Sequence, residues 1–247
     1  RSEYLQMVRR AAGGGLLMSV TTLLKFGLAA LAFSAFWGGF WAGVNYSISF
    51  VLIQLLHWTV ATKQPAMTAP AMAAKLKDMQ SSEDAAHTLE AFVDEVANLV
   101  RTQVAAILGN VLVVFPAALI LSLLWWQMFG AAPLDAAHAQ STLDSLHVLG
   151  PSALFAAYTG VLLFASSLIA GWVENWFVLR RLDSAIRYNP RFTRWLGKGR
   201  AKRWGDFWRA NISGFAANIS VGMWLGRAPA FWACFVLGLG GRRVTVP

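Results

Sequence analysis

Charged residues are scarce in this sequence. Of its 247 residues, only 13% are Asp, Glu, Lys or Arg, whereas 57% are apolar, and the mean hydropathy is +0.50. Soluble domains carry about 25% charged residues, so this composition excludes a disordered chain and an ordinary soluble enzyme. The single cysteine, Cys234, excludes an intrachain disulfide and a disulfide scaffold.

Recognisable catalytic and cofactor signatures are also missing. The sequence has no metal-ligand spacing and no phosphate-binding loop, so we predict no metal site, no cofactor and no catalytic constellation. A cleavable signal is not seen either. Because the chain starts at Arg1 rather than at a methionine, we expect it to be part of a longer protein.

What the sequence does contain is long apolar runs. A membrane-spanning helix needs about 20 apolar residues, and residues 14–62, whose one charge is Lys25, are too long for a single span. We expect the aromatic, glycine-rich patch 36–41 to separate two helices. Spans are therefore predicted near residues 14–36, 42–62, 104–129, 152–179 and 211–241.

The fifth run is irregular, because Asn, Gly, Arg and Pro residues interrupt it. It forms either a simple fifth span or a re-entrant hairpin that turns near residues 227–229. The predicted fold class is an all-α, polytopic transmembrane helix bundle of four spans plus a broken or re-entrant fifth segment. We treat residues 1–247 as one transmembrane helical domain.

A cytoplasmic amphipathic helix is predicted over residues 82–101. Apolar side chains recur there at i, i+3, i+4 and i+7, and Ser81 followed by Asp84 is a plausible N-terminal cap. Such a helix is either a docking or gating element or simply packs on the cytoplasmic ends of the bundle.

The loop charges predict the orientation of the chain, because Lys and Arg remain on the cytoplasmic side. The 180–209 segment has ten Lys and Arg residues and is predicted to be cytoplasmic, as are 63–103 and the N-terminus. The 130–150 loop has none and is predicted to be periplasmic. The expected location is therefore the bacterial inner membrane, with several passes.

Aromatic and basic residues alternate in the 191–209 stretch, which is typical of an interfacial segment on an anionic leaflet. We expect these residues to contact lipid headgroups: Arg191, Arg194, Trp195, Lys198, Arg200, Lys202, Arg203, Trp204, Trp208 and Arg209. Membrane topology explains the net charge of +9 better than nucleic-acid binding does, so anionic lipids rather than nucleic acid are the expected partners.

Three stretches resemble one known family. They read NYSISFVLIQ at 45–54, ATKQPAMTAP at 61–70 and SSLIAGWVENWF at 166–177, with further similarity at 214–226. Together they resemble the bacterial membrane proteins catalogued as Gcr-type site-specific recombinases, over essentially the whole chain. The resemblance implies the membrane-embedded C-terminal part of a longer protein, and the family's name implies DNA recombination.

Strand exchange needs a Tyr or Ser nucleophile with Arg and His side chains converging on the phosphate. Only Tyr188, within RYNPR, lies in a basic setting. The predicted topology separates the four histidines, so they do not converge. Tyr188 is therefore a catalytic candidate only if the protein is a recombinase.

Ionisable and polar residues within the spans are the remaining candidates, and the ionisable ones cost about 3 kcal/mol each on insertion scales. Lys25 or Arg227 could pair with Glu174, in a structural or a transport-related role. Four residues along the second span could form a polar row or interhelical hydrogen bonds, and one of them could relay protons: Asn45, Gln54, His57 and Gln64.

Three functions stay open at this point. A transport, lipid-handling or membrane-assembly role is favoured, a site-specific recombinase is the alternative, and a structural subunit of a larger membrane complex is the second alternative. A homo-oligomer or a larger complex is compatible with the sequence.

Overall fold

The computed structural model describes residues 2–31, 33–61, 85–134, 136–145 and 152–240, and nearly all of these described residues are helical. Side chains are described for most of these residues, up to Arg227 in the last helix. The described residues form eight helices: α1 (Ser2–Ala30), α2 (Ala35–Leu55), α3 (Ala85–Phe129), α4 (Ala136–Ser145), α5 (Ser152–Leu179), α6 (Leu182–Tyr188), α7 (Pro190–Leu196) and α8 (Lys198–Gly240).

Four of the helices are long and apolar enough to cross a membrane. The candidate spans are Tyr4–Ala30, Phe36–Leu55, Phe92–Phe129 and Ser152–Leu179. The prediction of an all-helical, multi-pass membrane protein with four long apolar helices is therefore confirmed at this level.

The separation between the first two spans lies earlier than the sequence suggested. Residues 31, 33 and 34 are not helical, and the aromatic patch 36–41 is the start of α2 rather than a break. Glycine is a poor helix former but can adopt helical dihedrals. Gly39 and Gly43 are buried, so close packing compensates for their low propensity. The other end of α2 also differs: the helix stops at Leu55, and His57 takes a left-handed conformation with φ 56°.

The amphipathic segment and the third span form one helix instead of two. The 45-residue α3 continues from Ala85 through Pro116 to Phe129. The junction between the two predicted segments stays helical because no glycine or proline occurs between residues 85 and 108. The expected cap at Ser81 and Asp84 lies outside the described residues. Val93, Val96 and Val100, which belong to the predicted apolar face, are exposed.

The fifth run is not broken in the described backbone. The helix α8 passes through residues 227–229 without a turn and ends at Gly240, so the hairpin that the sequence left open does not form there. Proline is tolerated in long apolar helices when neighbouring groups satisfy the freed carbonyl. The basic 180–209 segment is likewise helical, since it contains α6, α7 and the beginning of α8.

Contacts divide the chain into two compact units. The first contains residues 1–34 and 52–153, and the second contains residues 35–51 and 154–247. In the first unit, Gly109 of α3 lies against Val8 of α1, and Val114 O accepts a hydrogen bond from Ser19 Oγ at 3.3 Å. Contacts advance along both helices in the same sense, so α1 and α3 are parallel.

Small residues make this close approach feasible. Ala11, Ala105 and Ala106 are completely buried, and a Cβ atom on Gly15 would come within 2.9 Å of Asn110 O. Small side chains allow helix backbones to approach closely, which is the main source of helix association in an apolar solvent.

Candidate functional site

The basic segment follows the end of α5 directly. A turn at Arg180 and Arg181, the latter with φ 49°, redirects the chain into the seven-residue α6. The next helix, α7, has local start and stop signals: Asn189 Oδ1 accepts a hydrogen bond from Arg191 N at 2.9 Å, and Pro190 occupies the first helical position. Gly197, with φ 79°, ends it. These are the residues that favour each end of a helix.

An ion pair fixes α6 against α8. Arg187 Nη2 lies 2.7 Å from Asp206 Oδ1 and 3.6 Å from Asp183 Oδ2. The helices approach closely because Gly205 has no side chain, and a Cβ atom there would lie 2.6 Å from Arg187 Cγ. The pair is partly exposed to solvent, so it adds little to the free energy of unfolding. Its main effect is to fix the position of α6 against α8.

Aromatic rings contact one another along the beginning of α8. Trp204 stacks on Phe207 with ring centroids 5.7 Å apart, and Trp208 meets Phe215 edge-to-face at 5.6 Å. Both arrangements are favourable for aromatic pairs. All four rings lie on α8 itself, where they cover one another along its first turns.

The structure places nearly all of the expected headgroup-contacting residues on the outside. Trp195 is 85% exposed and the neighbouring Tyr188 is 78% exposed. Trp208 differs, since it is half-buried in the aromatic cluster. We call the exposed set the basic surface: Arg191, Arg194, Trp195, Lys198, Arg200, Lys202, Arg203, Trp204 and Arg209.

The charged intramembrane candidates each lie on a different helix. Lys25 is half-buried on α1, with Nζ 5.9 Å from the ring centroid of Phe26. Arg227 of α8 lies over the Phe36 ring of α2 at 5.7 Å. Glu174 is half-buried on α5, and among the described residues it forms no ion pair with Arg227.

The predicted polar row on the second span is only partly visible. Asn45 and Gln54 are half-buried on α2. His57 lies beyond the helix end and is exposed, with Nδ1 3.2 Å from Gln54 O. Gln64 lies outside the described residues. The roles suggested for these residues remain predictions.

A polar clamp that the sequence did not identify centres on Asn110 of α3. Its Oδ1 accepts a hydrogen bond from Ala61 N at 2.8 Å, and its Nδ2 donates to Ala11 O. Nearby, Gln103 Nε2 donates to Ala61 O at 3.2 Å and Thr59 N donates to Arg10 O at 3.1 Å. The clamp thereby ties the 57–61 segment to α1 and α3.

Two features of the sequence could have pointed to this clamp. Asn110 is a carboxamide in the middle of an apolar run, and Gly13, Gly14 and Gly15 form a run on α1. A Cβ atom on Gly14 would overlap Thr59 O, and one on Gly13 would overlap the Trp58 ring. The glycines therefore provide the space into which the segment fits.

The basic surface combines guanidinium and ammonium groups with exposed indole rings, which suits phosphate-bearing amphipathic ligands. In the part of the chain that the structure describes, no group of three or more His, Cys, Asp or Glu side chains could hold a metal ion.

A family model described as site-specific recombinase matches residues 1–247. No curated protein and no solved structure matches the chain. Since the match extends over the whole sequence, the chain belongs to the site-specific recombinase family.

Proposed function

We propose that the protein is a multi-pass membrane protein with a lipid-handling or membrane-assembly role, and that its basic surface binds anionic lipid headgroups. The observation that carries this proposal is the exposure of Trp195 on a short helix between arginines, only 16 residues after α5 ends at Leu179. An indole ring is poorly accommodated in water and well accommodated at the headgroup level of a bilayer.

Charge supports the same proposal. Basic side chains beside an anionic leaflet contribute about 1 kcal/mol each, which is about fivefold in binding. The only acidic residues within 180–209 are Asp183 and Asp206, and both lie beside Arg187. The negative charges of Asp183 and Asp206 are therefore paired with Arg187. They do not neutralise the exposed basic residues of the basic surface, whose electrostatic potential stays positive.

The test measures which phospholipids the full chain retains. Wild type, Arg200→Gln/Arg203→Gln and the matched control Arg9→Gln/Arg10→Gln are reconstituted in discs with equal phosphatidylglycerol and phosphatidylcholine. All four positions are exposed, and both variants lose two charges. We expect the enrichment of phosphatidylglycerol around the protein to fall by about tenfold or more in the first variant.

The salt dependence and the Arg9→Gln/Arg10→Gln control distinguish lipid binding by the basic surface from nonspecific attraction between a positively charged protein and anionic lipid. Enrichment by wild type is expected to weaken as salt rises from 0.05 to 0.5 M, because exposed charges are screened. Equal losses in both double variants would contradict a specific role for the basic surface.

Family membership favours site-specific recombination as the second candidate. Tyr188 is the residue to test, since its exposed ring lies next to Arg187 and Arg191. In strand-exchange assays of the longest available form, Tyr188→Phe would abolish activity if Tyr188 is the nucleophile. Tyr158→Phe on α5 is the matched control. Unchanged activity in Tyr188→Phe excludes this role for Tyr188.

A further inference from the structure

The helix α8 packs on the candidate span α2 in the opposite direction. Ser47 Oγ donates a hydrogen bond to Ile219 O at 3.1 Å, and a Cβ atom on Gly222 would lie 2.5 Å from Ser47 N. Further along α8, Gly226 lies against the backbone of Gly43. As residue numbers rise on α8 they fall on α2, so the two helices are antiparallel.

An uncharged stretch of α8 has the length of a bilayer core. Residues 210–226 contain no Asp, Glu, Lys or Arg, and they are bounded by Arg209 and Arg227. At 1.5 Å per residue, the two arginines are about 27 Å apart along the helix. The hydrocarbon core of a bilayer is about 30 Å thick.

Polar side chains make this stretch less apolar than the four candidate spans. Several of these side chains donate hydrogen bonds to backbone carbonyls of α8 itself. Asn211 Nδ2 donates to Phe207 O at 2.9 Å, and Ser220 Oγ donates to Ala216 O at 2.7 Å. Polar groups inside a membrane are tolerated when such internal partners exist.

Arg227 is placed where a bilayer surface would be. Its guanidinium lies over the ring of Phe36 at the start of α2. The same end of α2 carries the exposed rings of Trp37 and Trp41. Aromatic side chains concentrate at the headgroup level, and long basic side chains extend toward it. Arg227 Nε is buried with no hydrogen-bond partner among the described residues, so this N–H is available to a further acceptor.

We propose that α8 crosses the bilayer as a fifth span over residues 210–226 and that Arg227, directly after this stretch, binds the phosphate of a phospholipid in the leaflet opposite the basic surface. The planar guanidinium fork matches two phosphate oxygens, and the Phe36 ring holds the fork by a cation–π contact. This site is independent of the proposed function, because it uses a different arginine in the other leaflet.

The crossing is tested by labelling in a Cys234→Ser background, which contains no other cysteine. Arg227→Cys and Arg203→Cys proteins are reconstituted in sealed vesicles with a defined orientation and treated with a membrane-impermeant maleimide from one side at a time. We expect the two positions to react from opposite sides. Labelling of both from the same side, or of position 203 alone, overturns the proposal.

The phosphate site is tested by native mass spectrometry of the full chain with phosphatidylglycerol, phosphatidylcholine or inorganic phosphate. We expect wild type to retain one more phospholipid than Arg227→Gln with either lipid, because both lipids contain the phosphate. Arg101→Gln, at an exposed position on α3, is expected to match wild type. Arg227→Lys keeps the charge without the fork and is expected to retain the extra lipid partially.

Two results would overturn the site. Equal phospholipid retention by wild type and Arg227→Gln excludes it. An inorganic phosphate adduct that Arg227→Gln loses, with unchanged phospholipid retention, assigns Arg227 to a free anion instead.

Discussion

Single polar residues in this protein act chiefly through backbone partners. Asn110 is the clearest example, because its one carboxamide bonds to the backbones of Ala11 and Ala61. A carboxamide can donate and accept at once, which an apolar or purely donating side chain cannot do. This property explains why an amide is found within an otherwise apolar run.

Asn110→Leu is predicted to destabilise the protein by about 1–2 kcal/mol, because Ala61 N–H would lose its acceptor. The measurement is reversible unfolding in mixed micelles. Val111→Leu, a neighbouring change on the exposed face of α3, is the control and is expected to remain within about 0.5 kcal/mol of wild type. Equal stability of Asn110→Leu and wild type would show that the clamp contributes nothing.

At the scale of helices, packing determines whether a glycine helps or harms. Gly222 on α8 faces Ser47 so closely that no Cβ atom fits, whereas nothing lies within 4 Å of a Cβ atom built on Gly171 of α5. Both glycines are in helix interiors. Their substitutions are therefore expected to differ in sign.

Gly222→Ala is predicted to lower the unfolding temperature, because the added methyl group would force α2 and α8 apart, at about 1–3 kcal/mol. Gly171→Ala is predicted to raise it slightly, since alanine is a better helix former by about 1 kcal/mol. Thermal unfolding of both variants in one detergent checks the pair. If Gly171→Ala lowered the unfolding temperature and Gly222→Ala did not, the packing described for α2 and α8 would be contradicted.

At the scale of the whole molecule, charge distribution and helix direction agree within each unit. The parallel α1 and α3 cross in the same sense under the positive-inside topology. The antiparallel packing of α2 and α8 is compatible with the fifth span proposed for α8, since the two helices would then cross in opposite senses. The directions in which these helices pack are therefore compatible with the topology that the loop charges predict.

The orientation of the chain is testable at Gln140 on α4 and Arg194 on α7, both exposed. With Cys234→Ser as background, Gln140→Cys is predicted to react with an impermeant thiol reagent from outside intact spheroplasts. Arg194→Cys is predicted to react only after the cells are opened. The reverse pattern would invert the predicted topology.

Sequence determined the class of this protein. A run such as 152–179 is long and apolar enough to be recognised without any partner, because transfer into a bilayer depends on composition and length. The same holds for the basic, tryptophan-rich stretch around Trp195, since exposure there follows from local charge. The ends of α7 were not predicted, although Asn189-Pro190 and Gly197 are residues that favour the two ends of a helix.

Only the tertiary structure decided which small and polar residues meet. The continuity of α8 through Arg227, the start of α2 before its glycines and the clamp at Asn110 depend on residues distant in the chain. Such contacts arise from the fit of one helix surface to another. Composition along a single helix does not encode that fit, and so the partners of Gly222 and Asn110 became visible only once the helices were packed.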